Sequence, residues 1–207
     1  MNTADTPRLL AHEALTDSLR QLIEQLVSTG APVETLASLQ QQVEAMTAQL
    51  AGCTGRRPIG HFNNHLATSD TRHTLPYSPV SGPCNPIAPP LQPVYDASTI
   101  TLAATVNCNR AYEGPRGLVH GAVIAGIYDQ LLALLTTCSG KPSHTAWLTI
   151  QYRQPTPLHE TLHFRAWIDR QQGRKTWIKG ECLFNGSTLT EAEGLFIQPR
   201  PIDEKPA

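Results

Sequence analysis

The stretch Leu118-Val119-His120-Gly121-Ala122-Val123-Ile124-Ala125-Gly126-Ile127-Tyr128-Asp129-Gln130-Leu131-Leu132-Ala133-Leu134-Leu135 is apolar on nearly every side of a helix, yet it carries a histidine near its start and an aspartate near its centre. A helix of that kind has to be covered on most sides. Its length and hydropathy also suit a membrane span. However, a carboxylate near the middle of a span costs roughly 2.5–3.5 kcal/mol on insertion scales, and the flanks hold Gly, Pro, Ser and Thr in place of a basic cluster. The stretch therefore predicts a buried helix of a soluble protein, about residues 119–138, and no membrane span.

Around this helix the apolar residues follow a period of two. Ile100, Leu102, Ala104 and Val106 alternate with Thr99, Thr101, Ala103 and Thr105, which predicts a half-buried strand ahead of the helix. Four strands are predicted after it. Ala146, Leu148, Ile150 and Tyr152 share one face, as do Leu162, Phe164, Ala166 and Ile168. A turn at Gln171-Gln172-Gly173 leads into Lys175–Phe184, and the last strand covers about 188–198. Asn185-Gly186 between them is a strong hairpin signal, because both turn positions need positive φ. One apolar helix followed by hairpin-linked strands excludes a doubly wound parallel sheet. It predicts an α+β fold, a curved antiparallel sheet wrapped around one central helix.

The rest of the chain divides into two parts. Residues 1–51 predict an N-terminal helical extension of two helices. The first carries Leu9, Leu15, Leu19, Leu22, Ile23, Leu26 and Val27, and the second Val33, Leu36, Leu39, Val43, Met46 and Leu50. Ser28-Thr29-Gly30-Ala31-Pro32 breaks them, and Thr6-Pro7 supplies a cap and a first helical position. Such stripes are expected to pack on the body or on a second subunit; docking another protein is the sharper alternative. Residues 52–90 hold Pro76, Pro79, Pro83, Pro86, Pro89 and Pro90, with Pro93 just beyond, and are expected to wrap a surface in extended form. His61, His65 and His73, with Cys53 upstream, match no strong ligand spacing, so no metal site is expected. The core domain is expected over 91–200.

Bulk charge narrows the partners. Lys and Arg total 16 against 17 Asp and Glu, a formal net charge of −1 with no basic run. That argues against nucleic acid as a partner, because phosphate contacts need a basic stripe. The five cysteines, Cys53, Cys84, Cys108, Cys138 and Cys182, include no C-x-x-C, which predicts free thiols in a reducing cytoplasm. Asp5, Glu13 and Asp17 near the start speak against a transit peptide.

Asp129 is the residue that the physics singles out. A carboxylate in an apolar helix has to be paired, hydrogen-bonded, protonated or at a wet site. A purely structural role, tying down a neighbouring loop, is as natural as catalysis on this evidence. The approach to the helix, Gly114-Pro115-Arg116-Gly117-Leu118-Val119-His120-Gly121-Ala122, adds weight. The first amides of a helix lack internal partners and sit at its positive end. Small residues there let a ligand oxygen reach them, as in an oxyanion hole. Gly121 and Asp129 are eight residues apart, about 12 Å along the axis. One chain cannot readily place both on one carbon, whereas two helices related by a two-fold can. If both residues act on one substrate, the protein is expected to be a dimer with two shared sites.

The run from Tyr112 to Asp129 resembles the PaaI-type hotdog thioesterases, which carry a His-Gly-Gly start to the central helix and an Asp eight residues after the first Gly. Thr145-Ala146-Trp147-Leu148-Thr149-Ile150-Gln151-Tyr152-Arg153-Gln154-Pro155-Thr156-Pro157-Leu158 and Ala192-Glu193-Gly194-Leu195-Phe196-Ile197 are similar to later segments of the same family. The likeness covers about residues 90–198 and leaves out the N-terminal fifty. It implies a hotdog fold and hydrolysis of an acyl thioester. Asp129 would activate water or attack the carbonyl, Thr145 would position that carboxylate or the water, Gly121 would donate its amide to the thioester oxygen, and His120 would orient the approach loop. An ordinary strand threonine and a structural N-terminal histidine are the plainer alternatives for Thr145 and His120.

Two features depart from the family. Ala122 stands at the second Gly, keeping the amide but adding a methyl beside the acyl group. Glu113 and Gly114 occupy the approach loop where some members have Asn. Lys141, Arg153, Arg174 and Lys175 are candidates for the coenzyme A phosphates, with solvated surface as their plainer reading. The expectation is an acyl-CoA thioesterase for a medium or long chain. It would need no cofactor or metal, and would work as a homodimer or homotetramer with an apolar channel between helix and partner. A non-catalytic hotdog protein binding acyl-CoA or another apolar ligand is the rival. A hotdog dehydratase ranks last, for want of an Asp-x4-His pattern.

Overall fold

The computed structural model describes residues 6–53, 55 and 71–200. His61 and His65 lie outside these. The chain divides into two compact units, Met1–Gly60 and His61–Ala207. In the first unit, α1 spans Thr6–Ser28 and α2 spans Val33–Gly52. Pro32 sits at the N-cap of α2 with φ −66°, and its carbonyl accepts the Leu36 amide at 3.1 Å. Every residue of α2 is exposed, the seam Leu36, Leu39, Val43 and Met46 at 38–43%.

The second unit is a six-stranded antiparallel sheet and one helix. The strands are β1 (Gln92–Asp96), β2 (Thr101–Asn107), β3 (His144–Tyr152), β4 (Thr161–Gln172), β5 (Lys175–Phe184) and β6 (Ser187–Ile197), with α3 (Gly121–Cys138) between β2 and β3. Their order in the sheet is β1-β2-β4-β5-β6-β3. The predicted turns form as chemistry requires. Asn185 and Gly186 have φ 48° and 76° between paired Phe184 and Ser187, and Gly173 has φ 57° between Gln172 and Lys175. The sequence pattern misses β1, because Pro93 interrupts its alternation. An edge strand tolerates a proline, and β1 is an edge.

α3 lays Ile124, Ile127, Tyr128, Leu131, Leu132 and Leu135 on the sheet, against Leu102, Val106, Leu162, Phe164, Ile178 and Phe196. This face is closed to solvent, with most of these residues at 0–2% exposure. The Tyr128 ring meets Phe164 edge-on at 5.2 Å, and its hydroxyl donates to the Thr190 carbonyl at 2.9 Å. Gly180 makes the close approach possible: a Cβ there would lie 3.1 Å from the Tyr128 ring and 3.2 Å from Leu132.

The Pro-rich segment from Thr71 to Leu91 is not extended. It runs through successive turns closed by Ser78 N to Leu75 O, Gly82 N to Ser78 O, Asn85 N to Gly82 O and Ala88 N to Asn85 O. Prolines preset φ for the first turn position, and Ser and Asn side chains hold the following amides; Ser78 Oγ accepts from Val80 N and Ser81 N, and Asn85 Oδ1 from Ile87 N. The segment straps the second unit together. Ser78 Oγ donates to Gln130 Oε1 of α3 at 3.0 Å, Thr71 Oγ1 to the Pro93 carbonyl of β1 at 2.6 Å, and Tyr112 Oη to the Ala88 carbonyl at 2.7 Å. The strap is thus packed on the sheet-and-helix body.

Candidate active site

The approach to α3 is a tight loop held from inside. Gly114 N donates to Leu118 O and His120 N to Tyr112 O, both at 2.9 Å. The Glu113 carboxylate accepts the Gly117 amide at 2.6 Å. Gly114 is required by space: a Cβ there would lie 2.8 Å from His120 Cα. His120 is the N-cap of α3, and its Nδ1 accepts the Ala122 amide at 3.0 Å. An accepting Nδ1 places the ring proton on Nε2. The His120 carbonyl takes the amides of Val123 and Ile124. Among the described residues no acceptor takes the Gly121 amide, so it is the helix-start donor left for a ligand.

Tyr152, at the end of β3, completes this corner. Its hydroxyl donates to the Gly121 carbonyl at 2.8 Å. Sequence reasoning placed Tyr152 on a strand face and gave it no role. Only the pairing of β3 beside the helix start reveals it.

Asp129 lies near the middle of α3, eight residues after Gly121. It is exposed in the single chain, the wet site that a carboxylate in an apolar helix allows, although the helix was expected to be covered on most sides. The apolar pattern misleads because Ala122, Ala125, Gly126 and Ala133 count as apolar yet leave their side of the helix open. Asp129 Oδ1 accepts a hydrogen bond from Thr145 Oγ1 at 2.7 Å, which leaves Oδ2 for water or a substrate. β3 is bulged between Thr145 and Trp147. Bulges re-aim side chains, and this one turns Thr145 toward the helix at a spot that periodicity alone does not reveal.

β3 is an edge strand whose nine residues include only two that are partly covered, Leu148 and Ile150. Trp147 and Tyr152 are 40% and 52% exposed. A long edge with exposed aromatics is a surface ready to pair with another chain.

The comparisons with known proteins follow the same lines. No family model matches the chain. It is 31% identical over 91 residues to acyl-coenzyme A thioesterase THEM4 of Bos taurus, covering 43% of this chain and 37% of that one. It is 32% identical over 96 residues to the Mus musculus protein, covering 45% and 40%. The match thus spans about two-fifths of the length of these curated relatives. A crystal structure of a thioesterase superfamily protein superposes with a TM-score of 0.79 at 28% identity, covering 90% of each chain. The chain has the hotdog fold of the thioesterase superfamily. The 90% coverage exceeds residues 91–200, so the likeness to that superfamily structure reaches beyond the hotdog domain to which the sequence motifs confined it.

Within the superfamily fold the four candidate phosphate ligands do not meet in one protomer. Lys141 Nζ donates to Gln171 Oε1 at 3.0 Å, and Arg174 Nη1 to the Gln198 carbonyl at 2.8 Å. Lys175 pairs across β5 and β6 with Ile197, which in turn faces His144 of β3. These three therefore lie at the Thr145 end of the sheet. Arg153 lies at the opposite end of β3, next to Tyr152, and is tied to Glu191 by a 2.8 Å ion pair.

Three cysteines of the second unit are held as thiols. Burial pushes the thiols of Cys108 and Cys182 up to about 12 and that of Cys138 to about 11, which keeps them protonated at neutral pH. Among the described residues no three His, Cys, Asp or Glu side chains group as metal ligands.

Proposed function

We propose that this protein hydrolyses acyl-CoA thioesters to a carboxylic acid and free CoA. The observation that carries the reading is the Thr145–Asp129 hydrogen bond of 2.7 Å on an open helix face, on a chain whose curated relatives are named acyl-coenzyme A thioesterases. Asp129, held by Thr145, takes a proton from water as it attacks the thioester carbonyl, or attacks directly to form an acyl anhydride that water then hydrolyses; in both cases the C–S bond breaks and CoA leaves as the thiolate. The Gly121 amide donates to the oxygen that becomes negative. The thiolate is a good leaving group, so no stronger base is needed.

The two groups are about 12 Å apart along one helix, so the catalytic unit is a dimer. The exposed β3 edge supplies the seam: paired with itself about a two-fold, it extends the sheet and sets Gly121 of the partner subunit opposite Asp129. The same operation moves Arg153 of the partner subunit toward the Lys141, Arg174 and Lys175 end of the first, which supports a shared site for the CoA phosphates. The fully covered apolar side of α3 and its open small-residue side support an acyl tail of medium length or more lying along the open side. The five free cysteines support a reducing, cytoplasmic setting.

The test is thiol release from acyl-CoAs of increasing chain length by wild type and Asp129→Asn, together with the solution mass. Turnover by the wild-type dimer and none by a folded Asp129→Asn is expected. Equal turnover by both would refute Asp129 as the catalytic carboxylate. One observation favours the rival ligand-binding reading: His120 Nδ1 occupies the Ala122 amide, so a single donor remains at the helix start. Saturable acyl-CoA binding without thiol release from any substrate would select it.

A further inference from the structure

An apolar cleft of about 240 Å³ lies between α3 and the strap, lined by Pro79, Val80, Ile87, Pro89, Tyr112, Ala122, Val123 and Gly126. Its place follows from helix geometry. At about 100° per residue, Ala122 and Asp129 differ by about 20° around α3 and share one face, and Gly126 lies about 40° from Ala122 toward the strap. The cleft therefore opens beside the face that carries Asp129, starting one residue after the Gly121 amide.

Its walls come from two sources. The helix contributes small residues. At Gly126 a Cβ would meet the Val80 methyls at 3.5 and 3.7 Å, ordinary contact distances, so Val80 of the strap packs directly beside the helix here. The strap contributes bulk, and it is fixed from both ends of this wall by the Ser78–Gln130 and Tyr112–Ala88 hydrogen bonds. Ile87 is 61% exposed at the rim, and its amide is held by Asn85 Oδ1.

We propose that this cleft receives the acyl tail of the substrate, and that the strap residues Val80 and Ile87 set which tails are accepted. The inference rests on the thioesterase reading above. A thioester whose oxygen meets the Gly121 amide has two arms to place. The CoA arm carries phosphates and cannot be desolvated in a cleft with no cation in its lining. The aliphatic arm gains by leaving water there, at roughly 0.8 kcal/mol per buried CH₂. The volume equals about eight waters at ~30 Å³ each, the bulk of a tail of several carbons. Ala122 then acquires a role: its methyl is part of the floor that the tail lies on. One wall of the cleft is built by a segment outside the strand-and-helix motif of the fold.

The experiment compares kcat/KM for acetyl-, butyryl-, hexanoyl-, octanoyl- and dodecanoyl-CoA in wild type, Ile87→Trp, Ile87→Ala and Val80→Ala. The exposed Ile87 changes test the site without emptying the core. Ile87→Trp is expected to lower the octanoyl-to-acetyl ratio of kcat/KM by about tenfold or more. Ile87→Ala and Val80→Ala are expected to move the optimum toward longer tails. An unchanged length profile in all three variants, with wild type active, overturns the assignment and leaves the thioesterase reading standing. Absence of thiol release by wild type on every substrate overturns both.

Discussion

Thr145 Oγ1 on the bulged edge strand β3 and Asp129 Oδ1 on α3 are joined by a 2.7 Å hydrogen bond between groups that are both exposed in the single chain. In open solvent such a bond contributes little to stability, so its consequence is orientation: it fixes one carboxylate oxygen and leaves the other pointed outward. Thr145→Val is therefore expected to lower kcat by about tenfold to a hundredfold, with KM and thermal midpoint nearly unchanged, and Thr145→Ser is expected to restore most of the loss. Steady-state kinetics on the best acyl-CoA checks this. A Thr145→Val enzyme with wild-type kcat would leave the hydrogen bond without a role.

Tyr152 acts on the other half of the site. Its hydroxyl holds the Gly121 carbonyl at 2.8 Å and so fixes the peptide that follows the only free amide of the helix start. Tyr152→Phe keeps the ring against Gly121 and removes the bond. A loss of about three- to thirtyfold in kcat/KM is expected, carried by kcat, because a donor aimed at a developing oxyanion matters most in the transition state. Urea unfolding of the same variant is expected to shift by less than about 1 kcal/mol, in keeping with a single hydrogen bond at an exposed site.

Gly114 and Gly117 separate space from conformation in the approach loop. At Gly114 a methyl would sit 2.8 Å from His120 Cα, so backbone has to move and the N-cap with it. At Gly117 there is open space, but φ is 75°. Gly114→Ala is expected to cost about 1–3 kcal/mol and to lower activity with it. Gly117→Ala is expected to cost only about 1 kcal/mol, the ordinary penalty for a left-handed non-glycine, with turnover largely kept. Denaturant midpoints and kcat measured on both variants decide between the two effects.

The fold was legible where chemistry is local. The Asn185-Gly186 turn, the Lys175–Phe184 strand and the helix after His120 all follow from pattern and turn residues, and they lie where the sequence reading places them. The pairing of Asp129 with Thr145 was legible through family resemblance, because their contact joins residues sixteen apart through a bulge that no periodicity announces. Three features escaped. The strap was read as extended because proline excludes helix and strand alike, whereas its Ser78 and Asn85 side chains close turns. The Asp129 side of α3 was read as covered because alanine and glycine count as apolar without filling space. Tyr152 was hidden because its role depends on which strand lies beside the helix start, and β3 reaches that place only by crossing to the far edge of the sheet.

Cys108 and Cys182 give a prediction about alkaline pH. Both are fully buried, and burial holds both thiols protonated up to about 12, against an ordinary value of 9.0. Below pH 9 the thiols are protonated in folded and unfolded chains alike, and stability does not depend on them. Above pH 9 the unfolded chain loses these protons while the folded chain keeps them. Because the unfolded state then binds fewer protons, unfolding becomes easier as pH rises. Stability is expected to fall between about pH 9 and pH 12, and replacing both cysteines with alanine should flatten this decline even if it lowers stability at pH 7. Urea midpoints at pH 7, 9 and 10.5 for the two proteins measure it. At neutral pH a thiol-reactive disulfide reagent is expected to label the exposed Cys53 quickly, and to reach Cys108 and Cys182 only on unfolding. Rapid labelling of either buried thiol in the native protein would mean that the helix and sheet part far more readily than their packing implies.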